Sequence, residues 1–165
     1  MAAPQDPLTA AVPAAELVAE LRARGQTVAT AESLTAGLLS ATIAGVPGAS
    51  TVLRGGLIVY ATDLKHALAG VGEATLIAHG PVAASTAEQL AAGARTRCVA
   101  HYGLGLTGVA GPDPQDGIAV GTVFLGIAGV DGTEVIRLQL SGDRWQIRLG
   151  AVRAAVSELR LRLRT

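Results

Sequence analysis

Trp145, Leu149, Val152, Val156, Leu159 and Leu163 recur at alternating intervals of four and three residues, which aligns them along one side of a long α-helix. An apolar seam of that length has to be covered, and the rest of the chain must supply the cover. Asp143 suits the N-terminal end of this helix, and Arg160, Arg162 and Arg164 suit its C-terminal end, where positive charge complements the helix dipole. Those arginines otherwise read as solvated surface. The covering surface has to be built from small side chains, because the chain holds one Trp, two Tyr and one Phe while half its residues are apolar. Ala, Val, Leu and Ile therefore make the core, with 21 glycines permitting close backbone approach. At 165 residues this fits one domain, large enough to bury roughly two thirds of its unfolded surface without a metal or disulfide.

Strand and helix patterns alternate through the rest. Met1 to Val12 has no clear period and reads as a loose tail, so the domain is placed at residues 13–165. Pro13 suits a first helical turn, Leu17, Val18 and Leu21 share a face, and Gly25 stops the helix. Thr27 to Thr30 reads as a strand. Ser33 or Thr35 is then positioned to cap a helix through Leu38, Leu39 and Ile43. Gly55 to Tyr60 resembles a buried strand, and the following run contains two short helical pieces bounded by Gly70, Gly72 and Gly80. Val82 to Val99 looks helical, with Ala87, Leu90, Ala91 and Ala94 on one face. Gly103 to Thr107, Val120 to Ile127 and Glu134 to Leu140 make three further strands. The expectation is an α/β fold, a single-domain three-layer α/β/α sandwich around a central sheet.

Several function classes fall away on composition. Thirteen acidic residues balance thirteen basic ones, so no broad positive field draws the protein to nucleic acid or an anionic membrane. The single Cys98 excludes an internal disulfide and a cysteine-based zinc cluster, and the three histidines lack ligand spacing. No metal is therefore expected. No apolar run approaches the ~20 residues of a membrane span, and the N-terminus lacks the basic start and apolar run of a signal peptide. A cytoplasmic location is expected.

Gly103-Leu104-Gly105-Leu106-Thr107-Gly108 satisfies the G-x-G-x-x-G pattern of dinucleotide-binding folds. Ala110-Gly111-Pro112-Asp113-Pro114 follows at once and forbids the helix that such a fingerprint opens. A glycine-rich loop whose amides approach a ligand or another backbone is the better reading.

Lysine use points to chemistry. The chain carries twelve arginines and one lysine, Lys65, five residues after Tyr60. An arginine keeps its proton in a protein, whereas a desolvated lysine ammonium can lose it and serve as a base. Such a lysine can activate a serine hydroxyl without histidine, and Ser33, at a strand-to-helix junction, is the candidate nucleophile. Tyr60 can relay the proton or hold the lysine. Amides at a helix N-terminus would stabilise a developing oxyanion by about 3 kcal/mol per well-aimed donor. The same three residues also have bland readings: a helix cap for Ser33, a core aromatic for Tyr60, a chance surface residue for Lys65.

Thr30-Ala31-Glu32-Ser33-Leu34-Thr35-Ala36-Gly37 resembles a motif of the C-terminal domain of the competence-damage-inducible protein CinA. Three further stretches match in order: Arg54-Gly55-Gly56 through Tyr60 to Lys65, Thr107-Gly108-Val109-Ala110-Gly111-Pro112 with Val120-Gly121-Thr122-Val123, and Ser141-Gly142-Asp143-Arg144. The resemblance covers Ala14 to the C-terminus. It implies an α/β/α sandwich, a homodimer, without cofactor, that hydrolyses the carboxamide of nicotinamide mononucleotide to nicotinic acid mononucleotide and ammonia. It further implies Ser33 as nucleophile, Lys65 as its base and Tyr60 as their support. Arg144 would bind an anion or organise the site, and Thr35, Thr107 and Gly108 would shape the nucleotide pocket.

The chain departs from the family pattern at two places. Where the family reads Glu-Ser-Cys-Thr-Gly-Gly, this chain has Leu34 for the Cys and Ala36 for the first Gly. Where the family has Gly-Pro-x-Gly-Gly and then Lys-Pro, this chain reads Gly111-Pro112-Asp113-Pro114-Gln115-Asp116-Gly117-Ile118-Ala119. These changes bear on substrate identity, so a Ser/Lys hydrolase of another small amide and a non-catalytic nucleotide-binding module stand beside the amidase reading.

Overall fold

A computed structural model describes residues 6–165. Five strands form one sheet: β1 (Val28–Glu32), β2 (Leu53–Ile58), β3 (Tyr102–Gly108), β4 (Thr122–Gly129) and β5 (Gly132–Gln139). The order across it is β2-β1-β3-β4-β5. β1 runs parallel to both β2 and β3, and β4 and β5 continue the sheet antiparallel. The helices are α1 (Pro7–Ala11), α2 (Ala14–Ala23), α3 (Leu38–Ala44), α4 (Thr62–Ala67), α5 (Glu73–His79), α6 (Ala84–Arg97) and α7 (Arg144–Leu163). On one face α2, α3 and α7 close a core that includes Leu17, Leu21, Ile43, Leu104, Leu106, Leu125 and Ile127. On the other, Ala29, Ala31 and Val59 pack with Leu90 and Ala94 of α6. The result is the expected three-layer sandwich.

The glycines of Gly103-x-Gly105 lie within β3, so they form no loop. Being two residues apart on a strand, they face the same side. A Cβ on Gly103 would collide with the backbone of Ala91 and Arg95, and one on Gly105 or on its cross-strand partner Gly126 would collide with the backbone of Ala87 or Ala91. The motif lets α6 lie directly on the sheet, so of the two readings the backbone contact holds.

Other expectations shift for local reasons. Residues 7–11 of the presumed tail form α1, whose N-cap Asp6 accepts from the Leu8 amide at 2.8 Å; Asp followed by Pro was the cap-and-first-turn signal. Residues 1–5 of that tail lie outside the described residues. β2 is an edge strand with alternate half-buried and exposed residues, because its outer side has no neighbour. The α7 seam begins at Ile147 and widens through Ala151 and Ala155, while Trp145, in the first turn, stays 48 % exposed. Arg160 and Arg164 bind Glu20 of α2 at 3.2 and 2.6 Å, so the C-terminal arginines fasten two helices as well as meeting the dipole.

Candidate active site

All three parallel strands end at one edge. β1 runs into Ser33, β2 into Val59 and Tyr60, and β3 into Gly108 to Gly111. Ligands bind at this end of parallel strands because the loops there diverge from the sheet. Here the loops surround a cleft of about 210 Å3 with Ser33, Leu34, Lys65, Val109 and Arg144 in its walls.

Lys65 lies on α4 and is 1 % exposed. Its Nζ is 2.9 Å from Ser33 Oγ, 2.8 Å from the Val59 carbonyl and 3.3 Å from the Tyr60 carbonyl. As an ammonium it donates to all three. As a neutral amine it has two N–H groups and one lone pair, matching two carbonyls and one hydroxyl proton. The site therefore accommodates both protonation states with only a turn of the Ser33 hydroxyl proton. Burial lowers the Lys65 pKa from 10.5 to about 8, since desolvation penalises the charged form.

Ser33 is buried with its hydroxyl at the lysine, and its amide donates to the Leu106 carbonyl at 2.9 Å. Neither Ser33 nor Thr35 caps α3. Its N-cap is Gly37, and the free amides are taken by the carboxylate of Glu32, which accepts from Leu39 at 2.7 Å and Ser40 at 3.2 Å. Glu32 is itself fully buried and also receives Thr30 Oγ1 at 3.2 Å. The expected oxyanion donors of the helix N-terminus are thus already used. Among the described residues the amide of Leu34, next to Ser33 on the cleft wall, donates to no acceptor.

Tyr60 serves through two different atoms. Its carbonyl receives Lys65, while its ring is 57 % exposed and its hydroxyl accepts from Arg144 Nη2 at 2.9 Å. Its hydroxyl is bonded to Arg144 and not to Ser33, and the residue stands outside the core, because β2 ends before it. Arg144 also donates to the Gly111 carbonyl, and so ties the loops after β2 and β3 to the start of α7. The α7 N-terminus itself is closed by a capping box of Asp143 and Gln146. A ligand anion would meet the Arg144 guanidinium rather than free helix amides.

Gly108 lines the cleft, but Thr107 stands behind it. Its hydroxyl donates to the Pro81 carbonyl at 2.6 Å, which holds the Pro81-Val82 wall. Thr35 is also behind the cleft, fully buried, with its Oγ1 unpartnered among the described residues. Two residues carry no assigned role in the sequence reading, Glu32 and Arg148. Glu32 gave no signal at capping distance in sequence. Arg148, one helical turn after Arg144, donates to the Leu34 carbonyl at 2.9 Å and the Thr35 carbonyl at 3.1 Å; the four-residue spacing from Arg144 could have revealed it. Asp113 and Gln115 line the cleft from the loop after β3. Among the described residues no group of three or more His, Cys, Asp or Glu converges as a metal site.

Comparison with known proteins gives this arrangement a family. The model of the CinA C-terminal domain matches residues 11–163. The chain belongs to the CinA C-terminal domain family. A CinA-like protein of Frankia casuarinae is 49 % identical over 137 residues, covering 83 % of this chain and 32 % of the relative. The chain spans about a third of the length of the curated relatives it matches. Among solved structures, the competence/damage inducible protein CihA of Agrobacterium tumefaciens aligns with a TM-score of 0.89 at 31 % identity, covering all of both chains. A CinA superfamily protein of Klebsiella pneumoniae aligns with a TM-score of 0.91 at 26 % identity, covering 96 % of this chain and 99 % of the other. No helix among the described residues is long and apolar enough to cross a membrane.

Proposed function

We propose that this domain is an amidohydrolase that converts nicotinamide mononucleotide to nicotinic acid mononucleotide and ammonia, in pyridine-nucleotide salvage, by Ser/Lys chemistry. The observation that carries the reading is the Lys65 amine, buried, 2.9 Å from Ser33 Oγ and matched in its neutral form by two carbonyls and one hydroxyl proton. Neutral Lys65 takes the Ser33 proton as Oγ attacks the carboxamide carbon. The resulting ammonium returns that proton to the amide nitrogen as the C–N bond breaks, leaving an acyl ester on Ser33 and releasing ammonia. Water then attacks the ester with Lys65 again as base, and the carboxylic acid departs with Ser33 restored. The Leu34 amide, unpaired on the cleft wall, is the donor for the oxyanion, and Arg144 is the cation for the nucleotide phosphate. No cofactor enters this sequence.

The protein is proposed to act in the cytoplasm as a homodimer, with the exposed Tyr60 and Trp145 beside the cleft as part of the contact. A second reading keeps the chemistry and changes the substrate. It is favoured by Leu34 and Gln115, which line the cleft at positions where the chain departs from its family.

Ammonia release from nicotinamide mononucleotide by the purified protein, beside Ser33→Ala and Lys65→Arg, tests the proposal. Release that falls at least ~100-fold in each variant is expected, since a general base contributes about that much or more and arginine cannot supply one. Release from other amides but not from the mononucleotide would select the second reading. No release from any amide by the folded protein would reject both.

A further inference from the structure

The turn from Ser33 to Gly37 carries the candidate nucleophile, yet it is held in an unfavourable backbone conformation. Ala36 has φ of +47°, a left-handed geometry in which an L residue brings its Cβ against the neighbouring carbonyl. Nothing about Ala selects that geometry. The turn is closed from inside by the Ala36 amide on the Ser33 carbonyl at 3.0 Å and the Leu38 amide on the Thr35 carbonyl at 2.9 Å. From outside it is gripped by one side chain. The half-buried Arg148 guanidinium spans two successive carbonyls, Leu34 at 2.9 Å and Thr35 at 3.1 Å, 114 and 113 positions away in the chain.

We infer that Arg148 is a positioning residue: its two-carbonyl grip holds the Ser33 turn in a conformation that Ala36 resists, and so keeps Ser33 Oγ at Lys65. This rests on Ser33 being the nucleophile. The planar guanidinium suits the task, because two N–H groups fixed in one plane define the direction of both peptide units. Peptide planarity then sends the Thr35 amide, trans to the Leu34 carbonyl, away from α7. Arg148 does not reach the cleft, where Arg144 provides the cation.

The role predicts a specific rescue. If Arg148 works against strain at Ala36, glycine at position 36 removes the need for it, since glycine adopts positive φ freely. The readout is the rate at which a fluorophosphonate modifies Ser33 in the full chain, which requires no knowledge of the natural substrate; Ser33→Ala sets the background. Arg148→Ala is expected to slow labelling at least roughly tenfold, as displacement of a nucleophile by less than an ångström does. Ala36→Gly alone is expected to stay within about twofold of the parent, and Arg148→Ala with Ala36→Gly to recover most of the lost rate, a coupling that two independent sites lack. Melting curves of all four proteins separate mispositioning from unfolding. Should Arg148→Ala not fold, Arg148→Lys, which keeps the charge but not the planar fork, replaces it in both backgrounds with the same expectation in smaller measure. Labelling of the Arg148 variant at the parental rate, or a double variant as slow as the single one, overturns the inference. Absence of labelling in the parent above pH 8 overturns the reading of Ser33 itself.

Discussion

Below pH 8 the folded protein holds a buried ammonium at Lys65, whereas the unfolded chain holds the same group in water. Its folded pKa, about 8, lies below its ordinary value of 10.5, so between those values the folded state binds fewer protons than the unfolded state. Stability consequently rises with pH across that window, by roughly 3 kcal/mol for a shift of this size. The penalty is present in full below pH 8 and gone above 10.5. Urea unfolding of the parent and of Lys65→Met is expected to diverge in this way, the variant lacking the rise. On the proposed Ser/Lys chemistry, kcat/KM is expected to fall about tenfold per pH unit below 8 and to level off above it. Lys65 stands out in the sequence because arginine occupies each of the other twelve Lys/Arg positions. What the sequence concealed was the partner geometry, since the carbonyls of Val59 and Tyr60 are contributed by a bend that no side-chain pattern encodes.

At the scale of elements, legibility followed the range of the signal. The α2, α6 and α7 patterns are periodic within one segment, and all three helices stand where the spacing put them. Gly103-x-Gly105 was ambiguous because its partner, the α6 backbone, lies in another element. Replacement of Gly105 by Ala is expected to destabilise the fold by about 1–3 kcal/mol or more through overpacking against Ala87 and Ala91. Thermal unfolding would detect it. The opposite outcome is expected at the end of α6. There Val99, exposed and β-branched, has φ of +52° just after the C-cap Cys98, where glycine is favoured. Val99→Gly should raise stability by about 1 kcal/mol, since a left-handed L residue costs about that much. The cap of α3 escaped the sequence reading for a related reason. Glu32 reaches forward seven residues to Leu39 across a turn, a distance no capping motif spans.

For the whole molecule, the strand order assembles the cleft. Placing β1 between β2 and β3, all parallel, brings three chain ends separated by dozens of residues to one cleft, and the α7 start adds Arg144 to them. None of that order could be deduced from the sequence, because every segment read equally well in other arrangements. The resemblance to the CinA domain implied that Ser33, Lys65, Tyr60 and Arg144 share one site, but it gave no strand order. Arg144 is the only one of these whose charge faces the cleft permanently. Arg144→Ala is therefore expected to raise KM for the phosphorylated substrate at least roughly tenfold and to leave KM for the corresponding nucleoside amide nearly unchanged, the loss of one charge-assisted contact. Steady-state kinetics on the two substrates distinguishes this from a general loosening of the loops, which would raise both.

The proposed Ser/Lys chemistry depends most on Lys65 being able to lose its proton where it stands. Because the chain has one lysine, protein grown with 13C-labelled lysine gives a single side-chain resonance, and its shift can be followed against pH by NMR. A midpoint near 8, with Ser33→Ala moving it only slightly, is the predicted result. A midpoint at or above 10 would mean that the amine stays charged at working pH, and Lys65 could then hold Ser33 but not activate it.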